Sequence, residues 1–321
     1  FQLRPFLRSS KMNFIQHYLP GQPIEKNKQT SSGINFFMDV NSFTNHKLSF
    51  GINLEIANID LEEFQPEELT TSSPFNNAVR PQGFHYDFAV NTNLVAMFLS
   101  HEFLTKDEFK IFSNFRLERL NYDYDNLMLD GRTKDDGTDC GFGGCYYSRP
   151  ADTKISYSDN SFRFGFSKLV ESNEFFFQLS KGFRPPQINE LFRLQKSQTL
   201  ANLNSEKIDS VEFGILSEGK NFNNKFVLFS SKKNNYIYKD DDASTISDGK
   251  SKHQGIEVSG LVKIKPDLSF NYAWSFARHL YDYSLSEIGV VKGNYIDTAP
   301  KIYGSLFLNI TTVKNLTLQI E

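Results

Sequence analysis

The chain has 321 residues, 35 basic and 38 acidic, with a net charge of −3, and it carries 32 Phe and 14 Tyr beside a single Trp. Mean hydropathy is −0.44 although aromatics make up 15% of the sequence. These values exclude a helical membrane protein, which needs runs of about 18 apolar residues, they argue against disorder, where aromatics are scarce, and they leave no basic domain for nucleic acid.

Large rings in a hydrophilic chain must be spaced sparsely and regularly. Period-two alternation supplies that spacing, because successive strand side chains point to opposite faces. Helical periodicity is nearly absent. In chain order the alternating segments fall near 1–15, 33–41, 46–58, 84–104, 109–122, 161–169, 174–182, 208–218, 224–238, 251–264, 268–282, 300–312 and 316–321, about thirteen strands in all. Phe162, Phe164 and Phe166 share one face against Arg163, Gly165 and Ser167. Leu268, Phe270, Tyr272, Trp274 and Phe276 oppose Ser269, Asn271, Ala273 and Ser275.

Long connections at 16–32, 59–83, 123–160, 183–207, 239–250 and 283–299 alternate with short ones at 42–45, 105–108, 170–173, 219–223, 265–267 and 313–315. Such alternation predicts up-and-down hairpins with all elaboration at one end, the pattern of outer-membrane barrels. A Greek-key sandwich would mix lengths at both ends. The expected fold class is all-β, a transmembrane antiparallel up-and-down β-barrel whose sheet must close because lipid offers backbone groups no partner. The odd strand number, a start at Phe1 and an abrupt alternating end predict that residues 1–321 are part of a single barrel domain.

Five segments carry a resemblance. Gly182-Phe183-Arg184-Pro185-Pro186-Gln187-Ile188-Asn189-Glu190-Leu191-Phe192 follows an aromatic strand, and Leu203-Asn204-Ser205-Glu206 opens the next one with Glu212 and Gly214 beyond. Asn235-Tyr236-Ile237-Tyr238, Gly255-Ile256-Glu257 and Ala299-Pro300-Lys301 then come in order. Together they resemble the motifs of TonB-dependent outer-membrane receptors, with Ser205 where the family usually has Pro. The resemblance implies a barrel of about twenty-two strands, of which about thirteen are present, and an N-terminal plug and last strands that are absent from this chain. It also implies a protein of the outer membrane of a Gram-negative bacterium. There it would work with TonB and outer-membrane lipid, taking up a small-molecule or metal-chelate ligand, by family default an iron–siderophore complex. A passive porin is the alternative reading. No enzyme is expected, because no nucleophile motif stands out, and no cofactor is implied.

The candidate ligand-facing or plug-facing residues are Arg184, Asn189, Glu190, Tyr146 and Tyr147. Arg184 and Glu190 form a charged pair in a proline-stiffened loop, in which Asn189 is expected to cap a short helix holding Leu191 and Phe192. Arg163, Glu212, Glu257 and Lys263 are expected to face the lumen with Arg116 and Glu118, since charges facing lipid would cost about 2–4 kcal/mol. Cys140 and Cys145, in the run CGFGGC, suit a disulfide in an oxidising exterior, with free thiols or a metal pair as alternatives. Asp130, Asp135, Asp136 and Asp139 suggest Ca²⁺ by composition but lack the EF-hand order. Tyr122, Tyr124, Tyr146, Tyr147, Tyr281 and Tyr283 are expected in an aromatic belt at the membrane interface. His17, His46, His85, His101, His253 and His279 are scattered, with no HExxH and no paired spacing, so no metal site is expected. Residues 184–203 lack the His expected of haem receptors, which leaves His85 as a possible substitute. The sequons at Asn309 and Asn315 lie in expected strands and are taken as chance.

Overall fold

The computed structural model describes residues 1–40, 44–196, 198–285, 289–312 and 316–320. Strands β1 (Gln2–Ile15), β2 (Ile24–Val40), β3 (His46–Gln65), β4 (Gly83–Leu104) and β5 (Phe109–Asn126) open the sheet, with a short helix α1 (Pro74–Val79) between β3 and β4. A short β6 (Tyr147–Ser148) precedes β7 (Thr153–Val170) and β8 (Asn173–Arg184), and a short β9 (Leu194–Gln195) precedes β10 (Glu206–Gly219). β11 (Phe222–Lys239), β12 (Thr245–Lys265), β13 (Leu268–Tyr281), β14 (Ile302–Thr312) and β15 (Leu316–Ile320) complete it. Thirteen of these form one sheet in chain order, and β6 and β9 pair apart from it. Every neighbouring pair is antiparallel, as in β7 with β8 and β10 with β11.

The register turns alternation into two surfaces. Phe166, Phe177, Phe213, Leu228, Ile256, Phe276 and Ile302 fall in one row across β7 to β14. Six of the seven are exposed, from 39% at Ile256 to 60% at Ile302. A row on the opposite face reads Arg163, Ser180, Ser210, Ser231, His253, His279. A sheet that exposes rings on one side and hydroxyls and charges on the other suits lipid outside and a polar lumen inside. Not every ring faces outward. Phe98, Phe112 and Phe176 lie on the inner face over Gly51, Gly165 and Gly214, where an added Cβ would come within 2.1, 2.5 and 2.3 Å of the respective ring.

Strands are longer than the alternation predicts, and they grow at the long-loop ends. β2 begins at Ile24, β3 runs to Gln65, β7 begins at Thr153 and β12 at Thr245. These extensions are polar on both faces, as in Lys26-Asn27-Lys28-Gln29, so hydrogen bonding continues after the hydrophobic pattern has stopped. Outward ion pairs Lys26–Glu62 at 3.1 Å, Lys28–Asp60 at 3.5 Å and Lys154–Asp123 at 2.7 Å mark this zone. Two connections expected to be long are therefore brief, 16–23 and 240–244. The connection at 313–315, Asn315 included, lies outside the described residues, as do 42 and 43 of the connection 42–45.

The main core sits on the inner face at the long-loop end. Leu61, Phe88, Val90, Tyr122 and Tyr124 line β3, β4 and β5 and are covered by Leu191, Phe192, Leu194 and Leu203 from the connection 185–205. The connection 127–152 packs beside it, tied by the β6–β9 ribbon. Arg149, only 2% exposed, organises that loop. Its guanidinium donates to the carbonyls of Leu129 at 2.7 Å, Thr133 at 2.7 Å and His85 at 3.3 Å.

Candidate ligand vestibule and inner wall

Two arginines pin the connection 185–205 to the wall. Arg184 ends β8 and makes a bidentate pair with Glu190, at 3.0 and 3.0 Å, while its Nε donates to Glu206 at 2.7 Å. Glu206 also accepts from Lys233 at 3.0 Å and from the Ile237 backbone N–H at 3.0 Å. Charge-assisted forks of this kind fix geometry as well as adding energy. Glu190 belongs to the helix α2 (Ile188–Phe192), whose N-cap is Gln187 and not Asn189. The Glu190 carboxylate reaches back to the Gln187 backbone N–H at 2.7 Å, so the carboxylate of the third helical residue satisfies the first free donor. Asn189 lies within the helix and is exposed.

Arg193 follows α2 and makes the second anchor. It donates to Glu25 on β2 at 2.8 Å and to Glu63 on β3. Glu25 and Glu63 are 3% and 1% exposed. Gln16 bridges them, at 2.5 Å to Glu25 and 3.2 Å to Glu63. His85 adds a contact from β4, with Nδ1 at 3.1 Å from Glu63 and Nε2 at 2.8 Å from the Pro81 carbonyl. His85 is fully buried and stacks on Tyr147 with centroids 3.7 Å apart. Both of its ring nitrogens are engaged, so it has none to offer a haem.

Beneath these anchors the rings interlock. Phe192 stacks on Tyr124 at 4.2 Å and meets Tyr122 and Phe88 edge-on at 6.4 Å each. Tyr122 donates to the Pro186 carbonyl at 2.9 Å and Tyr157 to the Leu203 carbonyl at 3.2 Å. The expected interface belt is thus corrected for Tyr122, Tyr124 and Tyr147, which are 7%, 1% and 3% exposed and face the inner core. Alternation places a residue on a face but does not say which face the loops will cover. Tyr147 spends its ring on His85 and Tyr86, and burial pushes its hydroxyl well above the ordinary phenol range. Tyr146 is half-buried, under the Arg80 guanidinium at 4.0 Å, and donates to Gln195 at 3.2 Å.

A cleft of about 440 Å³ remains open between α2 and the wall of β1–β3. Asn27, Gln29, Tyr122, Gln187 and Asn189 line it with Ile59. Of the five candidate contact residues only Asn189 faces this space.

The four lumen charges occupy the inner face by register. Arg163 donates to Gln178 at 2.7 Å, and Gln178 donates to Glu212 at 2.6 Å, a relay across β7, β8 and β10. Arg116 reaches Glu118 at 2.6 Å and Asn53 at 2.8 Å. Glu257 and Lys263 share that face, opposite Ser275 and Ser269, without an ion pair among the described residues. Cys140 and Cys145 are joined as a disulfide, Cα atoms 5.0 Å apart. The four aspartates do not converge: Asp135 caps Phe84 at 3.1 Å, Asp136 caps Thr138 at 2.8 Å, Asp139 caps Gly141 at 3.0 Å and Asp130 takes Asn126 at 3.0 Å.

Several of these residues escape sequence reasoning. Arg193 sits one step beyond the motif and finds partners 168 and 130 positions away, which no local spacing signals. Four of the six histidines, scattered in sequence, are paired in space. His46 and His101 meet at 2.9 Å near the short-turn end of the outward face, and His253 and His279 at 2.8 Å on the inner wall. Antiparallel register brings them together, and register is not written in either strand alone.

Comparisons with known proteins bear on the whole sheet. The profile described as TonB dependent receptor-like, beta-barrel, matches residues 4–315. The ferric yersiniabactin uptake receptor of Yersinia pestis superposes with a TM-score of 0.65 at 13% identity, over 95% of this chain and 43% of its own. The ferric-catecholate import receptor of K12 E. coli gives 0.64 at 15% identity, over 98% and 48%. The alcaligin outer-membrane receptor of Bordetella pertussis gives 0.62 at 15%, over 99% and 49%. At these identities the likeness is one of fold, and the chain spans less than half the length of each. A comparison with curated protein sequences returned no match. The ordered motifs, the two-faced thirteen-stranded sheet and the match over residues 4–315 lead to one conclusion: the chain belongs to the TonB-dependent receptor family and forms part of its transmembrane β-barrel.

Proposed function

We propose that these residues form barrel wall and vestibule of an outer-membrane receptor that takes up a scarce nutrient, most simply a ferric siderophore, by TonB-dependent transport. The supporting observation is the inner wall at the long-loop end. Two loops are pinned over it by Arg184 and Arg193, and the cleft left open presents Asn27, Gln29, Gln187 and Asn189. Carboxamides offer both donors and acceptors, as a neutral oxygen-rich chelate requires. The similar solved proteins include receptors for iron chelates. In this reading a plug supplied by the complete protein fills the lumen, TonB acts through that plug, and no covalent chemistry occurs on the wall. The passive porin is less favoured, since the family match over residues 4–315 is to TonB-dependent receptors.

The test is uptake of radiolabelled ferric siderophores by cells whose only such receptor is the complete natural protein. Uptake that disappears when TonB is deleted supports the reading. Diffusive passage of unrelated solutes, unchanged without TonB, would overturn it.

A further inference from the structure

The inner wall at β12 and β13 carries a feature unconnected with the two loops. His253 and His279 are direct cross-strand partners, and their imidazoles meet Nδ1 to Nδ1 at 2.8 Å with centroids 5.0 Å apart and planes 56° apart. Ser251 Oγ lies 2.8 Å from His253 Nε2. With the proton on Nε2 and donated to Ser251, His253 Nδ1 presents a bare lone pair toward His279, the arrangement by which an outer hydrogen bond fixes the tautomer of a metal-ligating histidine.

The flanking side chains are small. The next row toward the short turns is Gly255 opposite Ala277, and Ser231 lies across from His253 on β11. The nearest inward-facing cation along β11, Lys233, is held by Glu206 at 3.0 Å and lies over the Tyr236 ring at 4.5 Å. No group of three His, Cys, Asp or Glu converges among the described residues, so two imidazoles would be the only strong protein ligands and the other positions would be open to water.

We infer that His253 and His279 form a two-imidazole binding site for a divalent transition-metal ion on the lumen wall, selective for Cu²⁺ and Ni²⁺ over Zn²⁺. The selectivity follows from the angle each ion prefers, and the close spacing of the pair suits the narrower one. Metal–nitrogen bonds of about 2.0–2.1 Å place two nitrogens about 2.8–3.0 Å apart when the angle at the metal is about 90°, and about 3.3–3.4 Å apart when it is tetrahedral. Square-planar and octahedral ions take adjacent ligands at 90°, whereas four-coordinate Zn²⁺ prefers the wider angle. Each ring contributes the lone pair of a neutral imidazole. The Nδ1 proton of the metal-free pair is displaced to the other nitrogen of its ring through solvent, so no net charge is lost.

The experiment uses the complete natural protein folded in detergent, titrated with Cu²⁺ and followed by electron paramagnetic resonance. The expected spectrum shows one tightly bound ion coupled to two imidazole nitrogens. His253→Ala or His279→Ala is expected to weaken binding by at least tenfold and remove one coupling. Ser251→Ala should weaken it about tenfold with both couplings kept, the usual scale for an outer-shell partner. His46→Ala with His101→Ala, the pair on the outward face, should change nothing. A wild-type spectrum without two-nitrogen coupling overturns the proposal whatever the variants do. So does a signal that survives in the His253/His279 double variant, which would place the ion elsewhere. Zn²⁺ competing as well as Ni²⁺ would overturn the selectivity.

Discussion

The inner wall at β3–β5 and the inner wall at β12–β13 are built from strands with the same period, and their environments are opposite. On β3–β5, Leu61, Phe88, Val90 and Tyr124 are all at or below 3% exposure under a cover of loops. Toward the short turns of β12–β13, Glu257 and Ala273 stay exposed and Ser259 and Ser275 half-exposed, whereas Thr245 and Ser247 at the other end of β12 are buried where Gln198 and Asn204 of the connection 185–205 bond to them. The first region is a small dry core whose charges are buried and paired. The second is a polar surface of small side chains, on which His253 and His279 bond to each other. The same alternation can therefore build an anchor or an open wall, and the loops decide which.

That contrast can be broken most strongly at Arg193. Arg193→Met leaves Glu25 and Glu63 buried without their cation, and uncompensated buried charge costs about 3–5 kcal/mol. Urea unfolding in detergent should show this loss, and limited proteolysis should cut within 185–205 while the sheet survives. A stability equal to the parent would mean that the cover is held elsewhere. Phe192→Ala, which empties the stack on Tyr124, is expected to cost about 3 kcal/mol in the same assay.

A third pair of variants compares the two faces. Phe213→Arg puts a cation in the outward apolar band and should cost about 2–4 kcal/mol in refolding into lipid vesicles, while Ser275→Arg on the inner wall of β13 should be near neutral. Equal penalties would refute the assignment of the faces. The smallest effect concerns Asp282, just beyond β13. Hydrogen bonds from Lys252 at 2.8 Å, and the Lys292 ammonium at 3.1 Å, hold its carboxyl below the ordinary carboxylate value. A lowered folded pKa contributes stability above the unfolded value of about 3.9, lost as pH falls through the folded value. For so exposed a pair about 0.5 kcal/mol is expected. It should be visible as a difference between the parent and Asp282→Asn that closes below about pH 4.

Much of the fold is legible because lipid and water impose a simple code on a strand. The rows through Phe166 and Arg163 could be written from alternation, and the thirteen strands are near their expected places. Boundaries slip at Ile24 and Thr153, where both faces meet water and the code falls silent. The candidate site is less legible. Arg184 and Glu190 are neighbours along the chain, so their pairing is legible, whereas the partners of Arg193 lie on two strands far upstream. Tyr122 and Tyr124 fit an interface belt by position yet lie in the buried core, because a ring at a strand end suits either.

By itself the sequence determined the two-faced strands, their order and the family, because these depend on local alternation and on turn residues read along the chain. Only the tertiary structure decided the rest. It joined Arg193 to Glu25 and Glu63, buried His85 against Tyr147, and set His253 opposite His279, since such contacts depend on inter-strand register and on where a loop folds back. Both are set by energies shared among distant residues, and neither has a local signature.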